Sequence, residues 1–475
     1  MKSKLYVTTS IPYVNAQPHI GFALELVQAD VVARYGRLVG REVRFQTGTD
    51  ENALKNVLAA EQLGVSPEEL VDRNAGRFLA LTEALKISND DFIRTTEGRH
   101  RAGVRAFWEA LAAGDVVRRD YVGQYCPGCE DFYLDRNLVE GKCPEHGVAP
   151  MAVAESNYFF ALGRYQKWLE SVLAGGEIEI VPESRRNEVL SFVRQGLTEF
   201  SISRSAQRTK GWGTRVPGDE SQTVYVWVDA LINYLSALGY GSGEDWRRWW
   251  GADVEKVHVI GKNVWKFHAV YWPALLESAG LPLPDRVLVH GFVTAEGRKI
   301  GKSLGNAVDP FEVIGRFGAD AVRYYLLRAI PPFGDGDFSV ARLEELYRSD
   351  LAGGVGNLVS RLASLCAKAG VTSWPPGERP EAPAAYVAAI EAFEFDKALE
   401  VLWQILTGIN QDIAWERPWE LDEGARLHEL LERWLGEIWR LASWLEAFLP
   451  DAYRGIVERL FSGPVGKAPP LFPRV

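Results

Sequence analysis

The sequence predicts an α/β fold: a doubly wound parallel sheet, split by a zinc-binding insertion and followed by an all-α C-terminal bundle. Three observations predict it. Residues 1–113 and 223–320 alternate short β-branched runs with amphipathic helical stretches, the pattern of a parallel sheet covered by helices. Between them lie Cys126-Pro127-Gly128-Cys129 and Cys143-Pro144-Glu145-His146. From residue 351 the chain is helical in pattern and rich in tryptophan.

Length and composition set the bounds. A chain of 475 residues is too long for one core, so several domains are expected. No apolar run reaches the ~18–20 residues of a membrane span. No basic stretch followed by an apolar one opens the chain, so a cytoplasmic protein is expected. The net charge of −10 argues against a general nucleic-acid coat and leaves room for a local basic groove. Of four cysteines, three cluster, which suits a metal site in a reducing compartment better than a disulfide framework.

The first strand is Leu5-Tyr6-Val7-Thr8-Thr9, apolar and β-branched. Pro12 and Pro18 forbid regular structure after it. Helical spacing begins at His19 and runs through Ile20, Ala23, Leu24, Val27, Val31 and Val32. A strand, a sharp loop and a helix opening on His19-Ile20-Gly21-Phe22 make a phosphate site, because a helix N-terminus offers free N–H groups and partial positive charge. Gly21 leaves room for a nucleotide and His19 is a candidate donor to phosphate; a cap or core-edge role is the alternative for His19. Val43-Arg44-Phe45-Gln46-Thr47 is the second strand, ending in Gly48-Thr49-Asp50-Glu51-Asn52. Ligands sit at the carboxyl ends of such strands. Asp50 therefore reads either as the holder of a ligand's amino group or ribose, or as an N-cap for the helix from about residue 53. Helices over 67–85 and 99–113 flank a short strand at 91–94.

Residues 114–222 break the rhythm. Cys126, Cys129, Cys143 and His146 form two knuckles separated by thirteen residues. Four protein ligands at this spacing fit one closed, structural Zn²⁺ site. Pro127, Gly128, Pro144 and Gly147 supply the tight turns. Ser201-Ile202-Ser203-Arg204 closes the insertion, and Arg204 is either a surface charge or a residue returning to the active site.

From 223 the alternation resumes. Thr223-Val224-Tyr225-Val226-Trp227-Val228 reads as a buried strand, with Asp229 as a cap of the helix that follows. Val257-His258-Val259-Ile260 is the next strand, followed by a helix carrying Trp265, Phe267, His268 and Trp272. Arg286-Val287-Leu288-Val289 is the last. The loop Gly297-Arg298-Lys299-Ile300-Gly301-Lys302-Ser303 gathers three cations and a serine between glycines. Such a loop can close over polyphosphate; a surface turn is the alternative. Residues 321–350 form a transitional helical module. A helical bundle runs to about residue 460 and an extended proline-rich tail ends the chain.

Pro18-His19-Ile20-Gly21 and Lys299-Ile300-Gly301-Lys302-Ser303 resemble the two signatures of class I aminoacyl-tRNA synthetases. Their separation by a zinc-bearing insertion, and the bundle after them, resemble the methionyl-tRNA synthetase family along essentially the whole chain. Ser10-Ile11-Pro12-Tyr13-Val14-Asn15, Thr47-Gly48-Thr49-Asp50, Ile202-Ser203-Arg204, Tyr225-Val226-Trp227-Val228-Asp229-Ala230, Ile260-Gly261-Lys262 and Pro418-Trp419 match further family blocks.

The resemblance implies a Rossmann-like catalytic domain in two halves, 1–113 and 223–320. It makes 114–222 the zinc-bearing connective insertion, 321–350 with the preceding lysine loop a stem-contact module, and 351–475 the helical anticodon-binding domain and tail. It implies a methionine–tRNA ligase: methionine and ATP, with Mg²⁺, give methionyl-adenylate, and the aminoacyl group passes to the terminal adenosine of elongator or initiator methionine tRNA. Catalysis would be positioning plus electrostatic stabilisation. Pro18, His19, Gly21, Phe22, Lys299, Lys302 and Ser303 would bind ATP. His19, Lys299, Lys302, Asp50 and Arg204 would be the catalytic set. Ile11, Tyr13, Asp50, Trp227, Ala230, Tyr234, Val264 and His268 would hold methionine, whose soft thioether suits aromatic faces. Asn357 and Arg361, at i and i+4 on one helix face, would read the anticodon with Trp419 as a stacking platform.

The chain departs from the family pattern around the nucleotide. Phe22 stands where His is usual, Ile300-Gly301 where Met-Ser is usual, Asn52-Ala53 where His-Gly is common, and Asn263 where an acid is frequent. These departures make a divergent paralogue, delivering an aminoacyl-adenylate to another acceptor, the competing reading. The chain lacks the C-terminal extension that makes some relatives dimers, so a monomer is expected. By resemblance its tail at Pro470-Leu471-Phe472-Pro473 is expected to pack on the catalytic domain.

Overall fold

The computed structural model describes residues 2–126, 131–133, 138–144, 147–295, 297–299, 308–371, 374–422, 424–462, 465 and 469–473. Two compact units emerge. The first comprises Met1–Pro18, Arg41–Ala80 and Asn89–Val289; the second His19–Gly40, Leu81–Ser88 and His290–Val475. The helix Ile20–Leu38 thus groups with the second unit, although its sequence position is in the first sheet half. Among the described residues no helix is long and apolar enough to cross a membrane.

The first unit is built on a six-stranded sheet. Its strands are β1 (Lys4–Thr9), β2 (Glu42–Thr49), β3 (Asp91–Arg94), β4 (Glu179–Val181), β5 (Val254–Gly261) and β6 (Arg286–His290). Their order is β3-β2-β1-β5-β6-β4. β1 pairs in parallel with β2 on one side and β5 on the other. The strand order therefore reverses between β1 and β5, the switch point where open α/β sheets leave a crevice beyond the carboxyl ends. Tyr6, Val7, Phe45, Val257, Val259 and Leu288 are buried, as strands covered on both faces require.

Two expectations change. The run from Thr223 to Val228 is not one strand: a strand Asp219–Val224 ends there and a helix Val226–Leu231 begins. The Tyr225 carbonyl accepts from Val228 N and Asp229 N, both at 2.9 Å, so the helix starts three residues before Asp229. Asp229 lies inside the helix and is fully buried, not a cap. The second change is β4, which comes from within residues 114–222 and joins the sheet edge beside β6. Cys126 ends one strand of the long antiparallel pair Val116–Cys126 and Met151–Phe160 in that stretch, and Cys143 lies between the two strands in sequence.

The second unit holds the helix Ile20–Leu38, a small three-stranded sheet and the helical bundle. Helices Phe395–Glu416 and Ala425–Leu445 show why the bundle forms. Leu399, Leu402, Leu406, Ile409 and Ile413 on the first, and Leu427, Leu431, Trp434, Ile438, Leu441 and Leu445 on the second, are buried at three- and four-residue spacing. The tryptophans also fasten the proline-rich break: Trp439 and Trp444 donate to the Glu378 and Pro380 carbonyls, both at 3.1 Å. The tail lies on helical elements of its own unit. The Tyr347 hydroxyl donates to Pro473 O at 2.6 Å, the Phe472 ring meets Tyr347 edge-on, and Leu471 fills the space beside Gly455.

Candidate active site

In the first unit the loops beyond β1, β2 and β5 converge. Tyr13 forms a parallel bridge with Asp50, and Asp50 N donates to Pro12 O at 2.8 Å. This holds the β1 loop, with half-buried Ile11 and Tyr13, along the end of β2. Asp50 is buried, and its carboxylate accepts from Asn52 N at 3.2 Å. It is not the predicted helix cap: the next helix is Leu54–Leu63, with Ala53 at the cap position.

The loop after Asp50 is tightly held. The buried Glu51 carboxylate accepts from Arg94 Nε at 2.6 Å, Arg94 Nη2 at 3.0 Å and Thr49 Oγ1 at 2.9 Å. Trp212 Nε1 and Asn56 Nδ2 donate to Glu51 O at 2.7 and 2.8 Å. None of these supports was singled out from sequence. Arg94 reaches this loop through the parallel register of β3 with β2, and Trp212 reaches it from a turn far along the chain.

Aromatic rings build the rest of the pocket. Trp227 stacks on Phe267 at 4.0 Å between centroids and meets Tyr13 edge-on at 5.7 Å. Lys55 Nζ lies 4.7 Å from the Tyr13 ring centroid. Ala230, Tyr234, Val264 and His268 are all buried. His268 Nδ1 lies 2.9 Å from Val264 O and must donate there; Nε2 then accepts from the Tyr234 hydroxyl at 2.7 Å. This fixes a neutral tautomer. Burial pushes the His268 imidazole down to about 4, with the Val264 carbonyl acting weakly the other way.

Beneath Tyr234 lies His258 on β5, its ring 4.3 Å away. His258 Nδ1 bonds Thr8 Oγ1 at 2.6 Å. Burial first, then His268 and Lys256, hold His258 well below its ordinary value. The Tyr6 hydroxyl lies 2.9 Å from Tyr234 O and 3.1 Å from Gln46 Oε1, and Gln46 Nε2 donates to Asn233 Oδ1 at 2.8 Å. The floor is thus a set of neutral, hydrogen-bonded groups under apolar walls. Phe267, His258 and Asn233 extend the predicted methionine set; alternation in Val257-His258-Val259 was the only sequence hint that His258 faces inward.

Arg204 is buried between strands. Its Nη1 donates to Ser203 O at 2.8 Å and Ser201 Oγ at 3.0 Å, and its guanidinium lies 3.9 Å from the Tyr225 ring centroid. It therefore braces the turn at Tyr225 that starts the Trp227 helix.

The nucleotide-signature residues belong to the second unit, Pro18 excepted. His19 is exposed and caps the helix Ile20–Leu38, its Nδ1 accepting from Gly21 N at 3.1 Å. A Cβ on Gly21 would meet the His19 ring at 3.0 Å, so a larger residue there would have to move the imidazole that caps the helix. Phe22 is half-buried in the first turn. Lys299 stands opposite Thr294 in a short antiparallel ladder. Lys302 and Ser303 lie outside the described residues.

For the metal, Cys126 and Cys143 are buried and not joined by a disulfide. Cys143 N donates to Val148 O and Gly147 N to Cys143 O, both at 2.8 Å, which folds the chain back around the thiol. Gly147 takes a positive φ of 63° there. A buried thiol at a strand end and another in such a turn fit half of a zinc knuckle. Cys129 and His146 lie outside the described residues, and among those described no three metal-ligating groups cluster.

In the bundle, Asn357 is exposed at the start of the helix Asn357–Lys368, and Arg361 Nη1 donates to Asn410 Oδ1 at 3.3 Å. Trp419 is 55% exposed in the turn Pro418–Glu420. Lys368 connects them: its Nζ donates to Trp419 O at 3.2 Å and Leu421 O at 2.9 Å. One helix thus carries Asn357 and Arg361 and fastens the turn that bears Trp419.

An open parallel sheet with aromatic rings, a buried aspartate and a neutral histidine gathered beyond its switch point has the layout of an α/β enzyme that takes a small ligand at its strand ends. Comparison with known proteins specifies it. The family model described as tRNA synthetases class I (M) matches residues 5–150 and 146–363. The methionine–tRNA ligase of Thermotoga maritima is 39% identical over 96% of this chain and 75% of its own length. That of Brucella suis is 40% identical over 97% and 92%. The structure of Mycobacterium tuberculosis methionyl-tRNA synthetase in complex with methionyl-adenylate matches with a TM-score of 0.91 at 37% identity, covering 100% of both chains. The chain belongs to the class I tRNA synthetase (M) family.

The neutral His268 gives a pH test. A depressed histidine pKa means that protonation opposes the folded pocket, so the pocket is intact above the ordinary value near 6.5 and weakens only as pH falls toward 4. The KM for methionine should therefore be flat from pH 6 to 8 in a pyrophosphate-exchange assay. An inflection near pH 6.5 would show that His268 titrates normally.

Proposed function

We infer that the chain is a methionine–tRNA ligase, activating methionine with ATP and charging methionine tRNA. The observation that carries this reading is the Tyr13–Trp227–Phe267 aromatic wall over the neutral Tyr234–His268 pair, in a chain whose relatives are methionine–tRNA ligases along nearly its full length. A thioether is apolar and polarisable, so ring faces hold it at little desolvation cost. Tyr13 and His268 add weak polar contacts that a plain alkyl chain would not use. Asp50 takes the ammonium group.

With methionine so held, its carboxylate oxygen attacks the α-phosphate of ATP. The bond to the β-phosphate oxygen breaks and pyrophosphate leaves. His19 and Gly21 cradle ATP at the helix start, where the positive end of the helix dipole favours phosphate. Lys299 and Lys302 meet the charge on the leaving group, and Mg²⁺ accompanies the triphosphate. In the second step the terminal adenosine hydroxyl attacks the adenylate carbonyl and AMP leaves. Little side-chain chemistry is needed; positioning supplies most of the rate. Arg204 enters through Tyr225, as a brace for the Trp227 helix. Asn357, Arg361 and Trp419 read the anticodon, with Lys368 holding the Trp419 turn.

Purified protein with ATP and Mg²⁺ should charge methionine tRNA, and Trp419→Ala should lower charging at least tenfold, about the worth of one base stack, with adenylate formation intact. Charging unaffected by Trp419→Ala would remove the tryptophan from the anticodon reader.

One structural Zn²⁺ held by Cys126, Cys129, Cys143 and His146 is the second part of the proposal. Such a site contributes folding energy and no chemistry. Cys126→Ser should abolish stoichiometric zinc by elemental analysis and lower the unfolding midpoint; full zinc retention would show a different ligand set.

A further inference from the structure

Asn52 stands two residues after Asp50 and is buried. Its backbone N–H donates to Asp50 Oδ1 at 3.2 Å. Its side-chain Nδ2 donates to Thr95 O at 3.1 Å and to Asp229 Oδ2 at 2.8 Å. Asp229 sits on the helix Val226–Leu231, between Trp227 and Ala230, and is fully buried. Its Oδ2 has a second donor, His100 Nε2 at 3.2 Å, and His100 Nδ1 bonds Ser236 Oγ at 2.8 Å. Asp229 Oδ1 has no hydrogen-bond partner among the described residues.

We propose that Asn52 is a positioning residue for amino-acid recognition, its amide tying the Asp50 loop to the Trp227 helix through the Asp229 carboxylate. One side chain thus links the wall that takes the ammonium group to the wall that takes the side chain. The helix has six residues and little intrinsic stability, so its place depends on tertiary bonds. A buried carboxylate with only two donors cannot lose one cheaply. Without the Asn52 donor, Asp229 draws toward water or His100, and Trp227 and Ala230 shift with it. The spacing between Asp50 and the rings then no longer matches the ligand. Among the described residues the bonds of Asn52 run to Asp50, Thr95 and Asp229, the elements assigned to the amino acid, so the change should fall on the methionine KM rather than on that for ATP.

The inference rests on the reading of this pocket as the methionine site, and the experiment separates the two. Methionine-dependent ATP–pyrophosphate exchange is measured for wild type, Asn52→Ala, Asn52→His and Trp227→Ala, with the unfolding midpoint of each. Asn52→Ala should raise the KM for methionine about tenfold, the size of one hydrogen bond to a buried charge, and leave the KM for ATP within about twofold. Asn52→His keeps one N–H for Asp229 and should recover most of the loss. Should Asn52→Ala not fold, Asn52→Ser, whose hydroxyl is too short to reach Asp229, replaces it with the same expectation. A raised methionine KM in Trp227→Ala with no change in the Asn52 variants would overturn the positioning role. So would a lowered midpoint with both KM values moved alike. An unchanged methionine KM in Trp227→Ala would overturn the pocket reading itself, and the inference with it.

Discussion

The second unit depends on one buried charge. Arg323, fully buried, places Nη1 2.7 Å from Asp30 Oδ2 and donates to Phe448 O at 2.6 Å, Ala447 O at 3.1 Å and Leu85 O at 3.2 Å. A guanidinium has no lower-energy neutral form, so the interior must supply acceptors in its own plane. Burial alone would raise the Asp30 carboxyl; Arg323 and Arg34 outweigh it and hold the group below its ordinary value. Removing one partner of such a pair costs ~3–5 kcal/mol. The pair therefore locks the helix that His19 caps to the corner where the last two bundle helices meet. The helix that His19 caps and the helical bundle are thus tied together within this unit.

The first unit is organised differently. Its sheet is apolar on both faces, and the polar groups gather where the strands end. Thr8 bonds His258, and Gln46 bonds Tyr6 and Asn233, so the buried polar groups of the floor are held mainly by one another. The consequence is a pocket whose polarity is fixed by neutral donors and acceptors. That suits a ligand whose side chain is apolar and whose charge sits at one end, beside Asp50. The same chain segment that ends β1 contributes Ile11 and Tyr13 to this pocket and, a few residues on, Pro18 and the His19 cap.

Much of this was legible in the sequence because the evidence was local. β-Branched runs marked β1, β2, β5 and β6, and paired Cys knuckles marked the insertion. Three- and four-residue apolar spacing marked the bundle. What was not legible depended on tertiary context. Val224-Tyr225-Val226-Trp227-Val228 has the composition of a strand, and only the bonds to the Tyr225 carbonyl turn it into a helix. β4 is three residues long and is a strand because β6 offers it an edge. Asp50 and Asp229 both carry cap-like chemistry, yet each is buried and bonded across the unit. Lys368 looked like any surface lysine until the Trp419 turn placed three carbonyls around it.

Amino-acid selectivity in the activation step tests the central claim most directly. Pyrophosphate exchange supported by methionine, leucine and isoleucine should be compared as kcat/KM. A wall of ring faces over a neutral Tyr234–His268 floor rewards the polarisable thioether over an alkyl side chain, and predicts that methionine is preferred by about a hundredfold. Equal exchange with leucine, or none with methionine, would contradict the account.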